Sequence, residues 1–126
     1  MEQQKHILII EDENAIAEVL QELLTEEGFK VTWSVSGKEG LEQAQREQPD
    51  LVILDVMLPE MNGKEVLKHM REDERLTDTP VFVMTNVNDT ENIVNMSEVG
   101  KTSYFLKVDI SLETLLGKIK KQLNLQ

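Results

Sequence analysis

Short apolar runs alternate with longer amphipathic segments along the chain. Near-continuous apolar runs are typical of parallel strands that are buried on both faces. Such runs occur at 7–10, 51–54, 81–84 and 104–106. One further run differs, because Val31, Trp33 and Val35 alternate with polar residues. That period of two predicts a half-exposed edge strand.

The amphipathic segments between these runs predict helices with recognisable ends. In the first, apolar residues recur at three- and four-residue spacing over 16–24, and Gly28 is a suitable stop. Polar caps predict the starts of three more helices, at Ser36, Asn62 and Ser111. The segment 89–99 predicts the weakest helix, because it contains few strong helix formers.

Five strand–helix units in succession predict an α/β fold. The sheet is expected to be parallel, five-stranded and doubly wound, with helices on both faces and right-handed crossovers. A length of 126 residues suits one domain. We therefore expect a single domain over 1–126.

Composition narrows the classes of partner. Thirteen Lys and Arg against 24 Asp and Glu give a formal net charge of −11, which argues against a nucleic-acid or anionic-membrane surface. The absence of cysteine excludes disulfides and thiolate metal sites. We find no pattern of a signal peptide or a membrane span, and we expect a cytoplasmic domain.

Polar residues follow the predicted strands. Ligands of open α/β sheets bind beyond the carboxyl ends of the strands, near the point where the strand order reverses. The polar residues at those ends are Glu11, Asp12, Glu13, Asp55, Thr85, Asn86 and Lys107. If the first strand is central and the third to fifth follow on one side, these residues converge.

The chemistry of this set points to phosphoryl transfer. Clustered carboxylates repel one another and need a cation, and oxygen ligands in a small site favour Mg²⁺. Lys107 would neutralise a phosphoryl group and is expected to pair with Asp55 when none is bound. The implied reaction makes an aspartyl phosphate. Taken singly, each residue also has an ordinary interpretation, for example Asp12 or Asn14 as a helix cap.

Together, these motifs resemble the receiver domain of two-component response regulators over essentially the whole chain. The matching segments are Glu11-Asp12 after ILII, DVMLPEMNG with Asp55, Pro59 and Gly63, VFVMT ending at Thr85, and GKTSYFLK with Tyr104 and Lys107. The resemblance implies a flavodoxin-like fold with the strand order 2-1-3-4-5.

The resemblance also implies a role for each site residue. Asp55 would be the phosphoacceptor, and Asp12 and Asp55 would bind Mg²⁺ directly. Glu11 would hold the metal through water, and the backbone carbonyl of Met57 would be a further ligand. Roles at the phosphoryl group and in switching fall to three residues: Lys107 and Thr85 would bind the phosphoryl oxygens, and Thr85 and Tyr104 would be the switch pair.

The implied partners are proteins. A sensor histidine kinase or a histidine phosphotransfer protein would donate the phosphoryl group, and the apolar residues near Gly28 and the first helix are a plausible docking surface for the kinase. A downstream protein target would bind the face formed by the helix at 89–99, the fifth strand and the last helix. The domain would contact neither nucleic acid nor membrane. It would catalyse only its own phosphorylation and dephosphorylation, so we do not class it as an enzyme.

The sequence departs from the family pattern at a few positions. Val108 replaces the proline that usually follows the lysine, which predicts a trans Lys107–Val108 bond because a non-proline cis bond costs about 2.5–4 kcal/mol. Asn86 replaces a small residue after the threonine. Neither Met57 nor Val87 can orient a hydrolytic water, so we expect slow self-dephosphorylation.

Three alternatives remain open at this stage. The chain could be the receiver part of a longer, DNA-binding regulator, or a pseudo-receiver that binds partners without phosphotransfer. A phosphatase of the dehalogenase type is disfavoured, because Met57 stands where that class has a second aspartate. We expect surface or packing roles for His6 and His69, and a packing role for Trp33 away from Asp55.

Overall fold

The computed structural model describes residues 4–85, 101–107 and 111–125. Its elements in chain order are β1 (His6–Ile10), α1 (Asn14–Glu26), β2 (Lys30–Ser34), α2 (Gly37–Glu47), β3 (Leu51–Asp55), α3 (Gly63–Glu72), β4 (Val81–Thr85), β5 (Thr102–Leu106) and α4 (Leu112–Gln122). The predicted helix over 89–99, the Lys107–Val108 bond and the residues Asn86 and Val87 lie outside the described residues.

The five strands form one parallel sheet in the order β2-β1-β3-β4-β5. This confirms the predicted parallel sheet and the strand order implied by the resemblance. The strands β1, β3 and β4 are buried throughout, as their continuous apolar runs predict. One apolar cluster packs α2 and α3 on one face of the sheet, and a second packs α1 and α4 on the other.

The two edge strands differ from expectation in detail. β2 lies at an edge, as predicted, but it ends at Ser34, and Val35 is exposed rather than on the apolar face. Ser34 is buried instead, and its hydroxyl is satisfied there by donating to Gln43 Oε1 at 2.6 Å. β5 is the opposite edge and is only half-buried along its length, so the expectation of burial on both faces is wrong there.

The predicted helix caps are present. The side chains of Ser36, Asn62 and Ser111 accept hydrogen bonds from the main-chain N–H three residues on, at 2.9–3.2 Å. The cap of α1 is Glu13, so neither Asp12 nor Asn14 takes that position. Within the described part of the chain, we find no helix that is both long and apolar enough to cross a membrane.

Candidate functional site

Three carboxylates meet at the edge of the sheet where the parallel strands end. Glu11 and Asp12 directly follow β1, and Asp55 is the last residue of β3. One side-chain oxygen from each of the three lies within 4.8 Å of the others. Glu11 and Asp55 are buried, whereas Asp12 is exposed. The convergence expected from the strand ends is therefore present.

Lys107, just after β5, reaches into this cluster. Its Nζ lies 2.9 Å from Glu11 Oε1 and 3.3 Å from Asp55 Oδ2. The predicted pairing of Lys107 with Asp55 is confirmed, although the shorter contact is to Glu11. Glu13 Oε1 is a third partner at 3.3 Å. From the sequence, Glu13 is one of the polar residues at the strand ends but is assigned no contact with Lys107, because spacing alone does not show how far a side chain reaches.

The charges of this cluster do not balance. Glu11, Asp12, Asp55 and Lys107 together give −3 + 1 = −2. Burial, the hydrogen bond to Glu11 and the charge of Glu11 raise the pKa of Asp55 to about 7, against the opposing effect of Lys107. Burial acts to lower the pKa of Lys107, but Glu11, Asp55 and Glu13 outweigh it and raise that pKa. The neighbouring Glu13 adds a further negative charge, so a divalent cation would offset most of the excess.

The end of β3 depends on a glycine in α3. A Cβ at Gly63 would lie 2.3 Å from the carbonyl oxygen of Asp55 and 2.8 Å from the Cα of Val56. The Gly63 N–H donates to the Val56 carbonyl at 2.8 Å, which holds the helix start against the strand end. The main-chain N–H of Met57 lies 3.4 Å from Asp55 Oδ1. The glycine eight residues after Asp55 is therefore required by close backbone approach.

The predicted switch residues occupy neighbouring strands. Thr85 is the last residue of β4 and is fully buried. Its carbonyl accepts the Lys107 N–H at 2.8 Å, which ties the end of β5 to β4. Tyr104 is half-buried against the apolar cluster beneath α2 and α3, and burial raises its pKa to about 12. Their switching role, like the roles assigned to the other site residues, stays a prediction.

Trp33 has a contact that the sequence did not indicate. It packs against the apolar cluster beneath α1 and α4, as expected. Its indole Nε1 also donates to the backbone carbonyl of Glu11 at 2.8 Å, so it directly contacts the acidic site. This contact follows from the pairing of Ile9 with Trp33 in the sheet, which no motif reveals.

The two histidines lie away from the acidic cluster. His6 is buried at the opposite end of β1, where its Nε2 lies 2.9 Å from Thr32 Oγ1. His69 is exposed on α3. These positions confirm the packing and surface roles expected for them.

Fold and site together define a flavodoxin-like α/β domain with an acidic pocket and a lysine at the carboxyl edge of its sheet. The family model described as the response regulator receiver domain matches residues 7–120, and the chain belongs to that family. It is thus a receiver domain of the two-component kind, which is a signalling module. Receiver domains interact with histidine kinases and downstream effectors.

Individual proteins and solved structures are similar to most of this chain. The uncharacterized transcriptional regulatory protein YkoG of Bacillus subtilis (strain 168) is 41% identical over 115 residues, covering 91% of this chain and 49% of that protein. The response regulator ArlR of Staphylococcus aureus (strain Mu50) is 36% identical over 114 residues, covering 90% of this chain and 50% of that protein. A CheY-like receiver domain protein from Methanospirillum hungatei JF-1 superposes with a TM-score of 0.88 at 30% identity, covering 97% of this chain and 95% of that one. This chain spans about half the length of the curated relatives it matches.

Proposed function

We propose that residues 1–126 form one receiver domain in which Asp55 accepts a phosphoryl group from a phosphohistidine. The donor is a sensor histidine kinase or a histidine phosphotransfer protein. The observation that carries this proposal is the convergence of Glu11, Asp12, Asp55 and Lys107 at one edge of the sheet, with Asp55 buried.

The donor set fits Mg²⁺. Three carboxylates offer oxygens within 4.8 Å of one another, and hard oxygen ligands are those Mg²⁺ prefers. Asp12 and Asp55 would bind it directly, Glu11 through water, and Met57 through its backbone carbonyl. When bound, Mg²⁺ supplies positive charge that stabilises the negative charge building on the phosphoryl oxygens.

The side chains of the site account for the transfer step. A carboxylate oxygen of Asp55 forms the new bond to phosphorus while the phosphorus–nitrogen bond to the imidazole breaks, and the imidazole leaves with that electron pair. Lys107 exchanges a carboxylate partner for a phosphoryl oxygen, and the Thr85 hydroxyl donates to another. The product is an acyl phosphate on a buried strand end.

Phosphorylation would act on a surface as well as on the site. Thr85 would move toward the phosphoryl group, and the ring of Tyr104 would turn inward, as a shift between two packings. The downstream protein target would bind the face of β5, α4 and residues 89–99. The domain itself would contact neither nucleic acid nor membrane and would act in the cytoplasm.

A second candidate differs only in what surrounds the domain. The chain matches about half of each of two curated relatives, a transcriptional regulatory protein and a response regulator. That observation favours the receiver part of a longer, DNA-binding regulator as the alternative. A pseudo-receiver is less well supported, because the carboxylates and the lysine that phosphotransfer needs are brought together.

An apolar groove beside Lys107 suits the donor protein. The groove has a volume of about 280 Å³ and lies between α1 and α4, lined by Ala15, Ile16, Val19, Leu20, Met84, Lys107, Leu112 and Leu115. Val19 and Leu112 are large apolar side chains left 47% and 43% exposed. The groove is at the start of α1 beside the site, whereas Gly28 lies just beyond the other end of that helix.

Matched substitutions test the groove. Val19→Glu should slow phosphotransfer from a phosphorylated histidine phosphotransfer protein and leave the rate with acetyl phosphate unchanged. Val35→Glu is the control, since Val35 is 45% exposed but does not line the groove. Equal slowing by both substitutions would remove the groove from the proposal.

The lifetime of the phosphoryl group remains part of the proposal. Met57 is 57% exposed and carries no polar group that could orient a water toward Asp55. We therefore expect the adduct to persist when Mg²⁺ is present, and its decay can be followed by intact mass. A half-life of seconds would contradict this expectation.

Acetyl phosphate provides the first test of the acceptor. The parent protein incubated with acetyl phosphate and Mg²⁺ should gain one phosphoryl mass, and EDTA should prevent the gain. Asp55→Asn should gain none, whereas Asp50→Asn, at the other end of the same strand, should still be modified. A parent protein that neither forms the adduct nor binds beryllofluoride would favour the pseudo-receiver.

A further inference from the structure

We propose that Trp33 is a positioning residue for the metal site, acting through the peptide that joins Glu11 to Asp12. This inference rests on the proposed function, because it assigns a residue that prepares the Mg²⁺ ligands. Nothing in the family motifs includes Trp33, which the sequence alone presents as a packing residue of an edge strand.

The contact falls on the one peptide unit that links two of the three clustered carboxylates. The Glu11 carbonyl, which accepts the Trp33 indole N–H at 2.8 Å, belongs to the peptide plane between Glu11 and Asp12. The Glu11 N–H in turn donates to the Ser34 carbonyl at 3.0 Å. Both polar groups of the Glu11 main chain are therefore bonded to β2, just where β1 has ended.

Electrostatics explains why this turn needs support. Three carboxylates within 4.8 Å repel one another, and Lys107 offsets only part of that repulsion, so without a metal ion the turn gains by moving its side chains apart. Holding the peptide fixed keeps Glu11 and Asp12 near Asp55 before a metal arrives. Outer hydrogen bonds that orient metal ligands commonly change metal affinity for this reason.

Packing alone does not require the indole. Trp33 is half-buried against an apolar cluster, a place that a phenylalanine ring would also fill. The N–H is the feature that phenylalanine lacks, and it is directed at the acidic turn. Trp33→Phe therefore separates the hydrogen bond from most of the packing.

The test compares two variants of the same edge strand by calorimetric titration with Mg²⁺. Trp33→Phe should weaken Mg²⁺ binding about tenfold, the lower end of the range for outer hydrogen bonds at metal sites. Ser34→Ala is the matched control, since it removes the side-chain bond to Gln43 but leaves the main-chain bond to Glu11. It should bind Mg²⁺ like the parent, even if both variants lose similar stability in urea.

Each result of this titration decides one point. Unchanged Mg²⁺ affinity in Trp33→Phe, beside a parent that binds Mg²⁺ and an Asp55→Asn variant that binds it weakly, overturns the role of Trp33 and leaves the proposed function intact. A parent that does not bind Mg²⁺ overturns both. Equal weakening in Trp33→Phe and Ser34→Ala also overturns the role, because it shows a general effect of loosening β2.

A second measurement needs no variant of Trp33. It is the single tryptophan of the chain, so fluorescence excited at a wavelength that the one tyrosine does not absorb reports on it alone. Its emission should change on addition of Mg²⁺ and saturate at the concentration found by calorimetry, with the change shifted to higher Mg²⁺ in Asp55→Asn. Emission that stays constant while calorimetry shows Mg²⁺ binding would contradict the proposed link between Trp33 and the metal ligands.

Discussion

Two aspartates bracket β3 and have opposite surroundings. Asp50 precedes the strand; its carboxylate accepts the His6 N–H at 2.7 Å, and its own N–H donates to the His6 carbonyl at 2.8 Å. Asp55 ends the strand, buried among two further carboxylates and one lysine. One aspartate joins two strands, and the other is held in an environment that raises its pKa.

The difference shows what marks a site among buried polar groups. At the amino end of the sheet, polar groups satisfy one another, as His6 does with Thr32 and Asp50. At the carboxyl end, three carboxylates and Lys107 have a formal charge of −2 when all are ionised, an excess that a metal ion would offset. Crowding of three carboxylates around one lysine, rather than burial of a polar residue alone, separates the candidate functional cluster from the structural one.

The largest expected effect comes from crowding the carboxyl end. Gly63→Ala places a Cβ 2.3 Å from the Asp55 carbonyl oxygen, and neither main chain can move aside easily. We expect a loss of about 3 kcal/mol in the free energy of unfolding, measured by urea denaturation. Gly117→Ala in α4 is the control, since its Cβ meets nothing within 4 Å, and it should stabilise by about 0.5–1 kcal/mol. Equal effects at the two glycines would refute the close approach.

The two aspartates should respond in opposite directions to the same substitution. Asp50→Asn weakens a charge-assisted hydrogen bond to His6 and should lower the free energy of unfolding by about 2 kcal/mol. Asp55→Asn removes a buried carboxylate that Glu11 also repels, and should raise the free energy of unfolding by about 2 kcal/mol in EDTA. A change in the pKa of Asp55 from 3.8 to about 7 corresponds to roughly twice this free energy, at about 1.4 kcal/mol per pKa unit. We expect only about half of it, because the substitution also removes one ionic partner of Lys107. Destabilisation by both would contradict the contrast.

Mg²⁺ should stabilise the folded domain by binding at Asp55, so the gain should depend on Asp55 and not on Asp50. At ten times its dissociation constant, a ligand that binds only the folded state adds about 1.4 kcal/mol to the free energy of unfolding. We expect this gain in the parent and in Asp50→Asn, and a much smaller one in Asp55→Asn. Thermal unfolding with Mg²⁺ or EDTA measures it. A gain of the same size in all three proteins would place the cation elsewhere.

The smallest expected effect is a pH dependence at the amino end. Burial lowers the pKa of His6 from 6.5, against the charges of Glu47 and Asp50 and with that of Lys30. As pH falls, the unfolded chain therefore binds a proton at His6 before the folded chain does. The contribution of neutral, buried His6 to the free energy of unfolding is present above pH 6.5 and is lost as pH falls toward the lowered pKa. His6→Gln should remove that loss, and His69→Gln should not. The comparison is best made in Asp55→Asn, where the acceptor carboxyl does not titrate.

Much of the fold could be predicted from the pattern of apolar residues. The continuous runs gave β1, β3 and β4, and Ser36, Asn62 and Ser111 cap helices as expected. The edge strands were harder to predict, because the burial of a strand depends on which strands and helices lie beside it. β5 is an edge in spite of its apolar run, and β2 stops one residue before Val35.

The site was predicted in outline but not in its contacts. Glu11, Asp12, Asp55 and Lys107 follow from the rule that parallel strands end at one edge, and the structure brings them together. The Glu13 contact to Lys107 and the Trp33 bond to Glu11 depend on side-chain reach and strand register, for which the sequence has no separate signal. Gly63 was part of the motif, but the reason for a glycine there, the close approach of its main chain to Asp55, follows only from the three-dimensional structure.

The most direct test of Asp55 as the acceptor is chemical location of the phosphoryl group. Borohydride reduces an acyl phosphate to an alcohol, which converts a phosphorylated aspartate to homoserine. After treatment with acetyl phosphate and Mg²⁺, followed by borohydride, peptide mass spectrometry should find homoserine at position 55 and unmodified aspartate at positions 12 and 50. Homoserine at either of those positions, with intact aspartate at 55, would contradict the account.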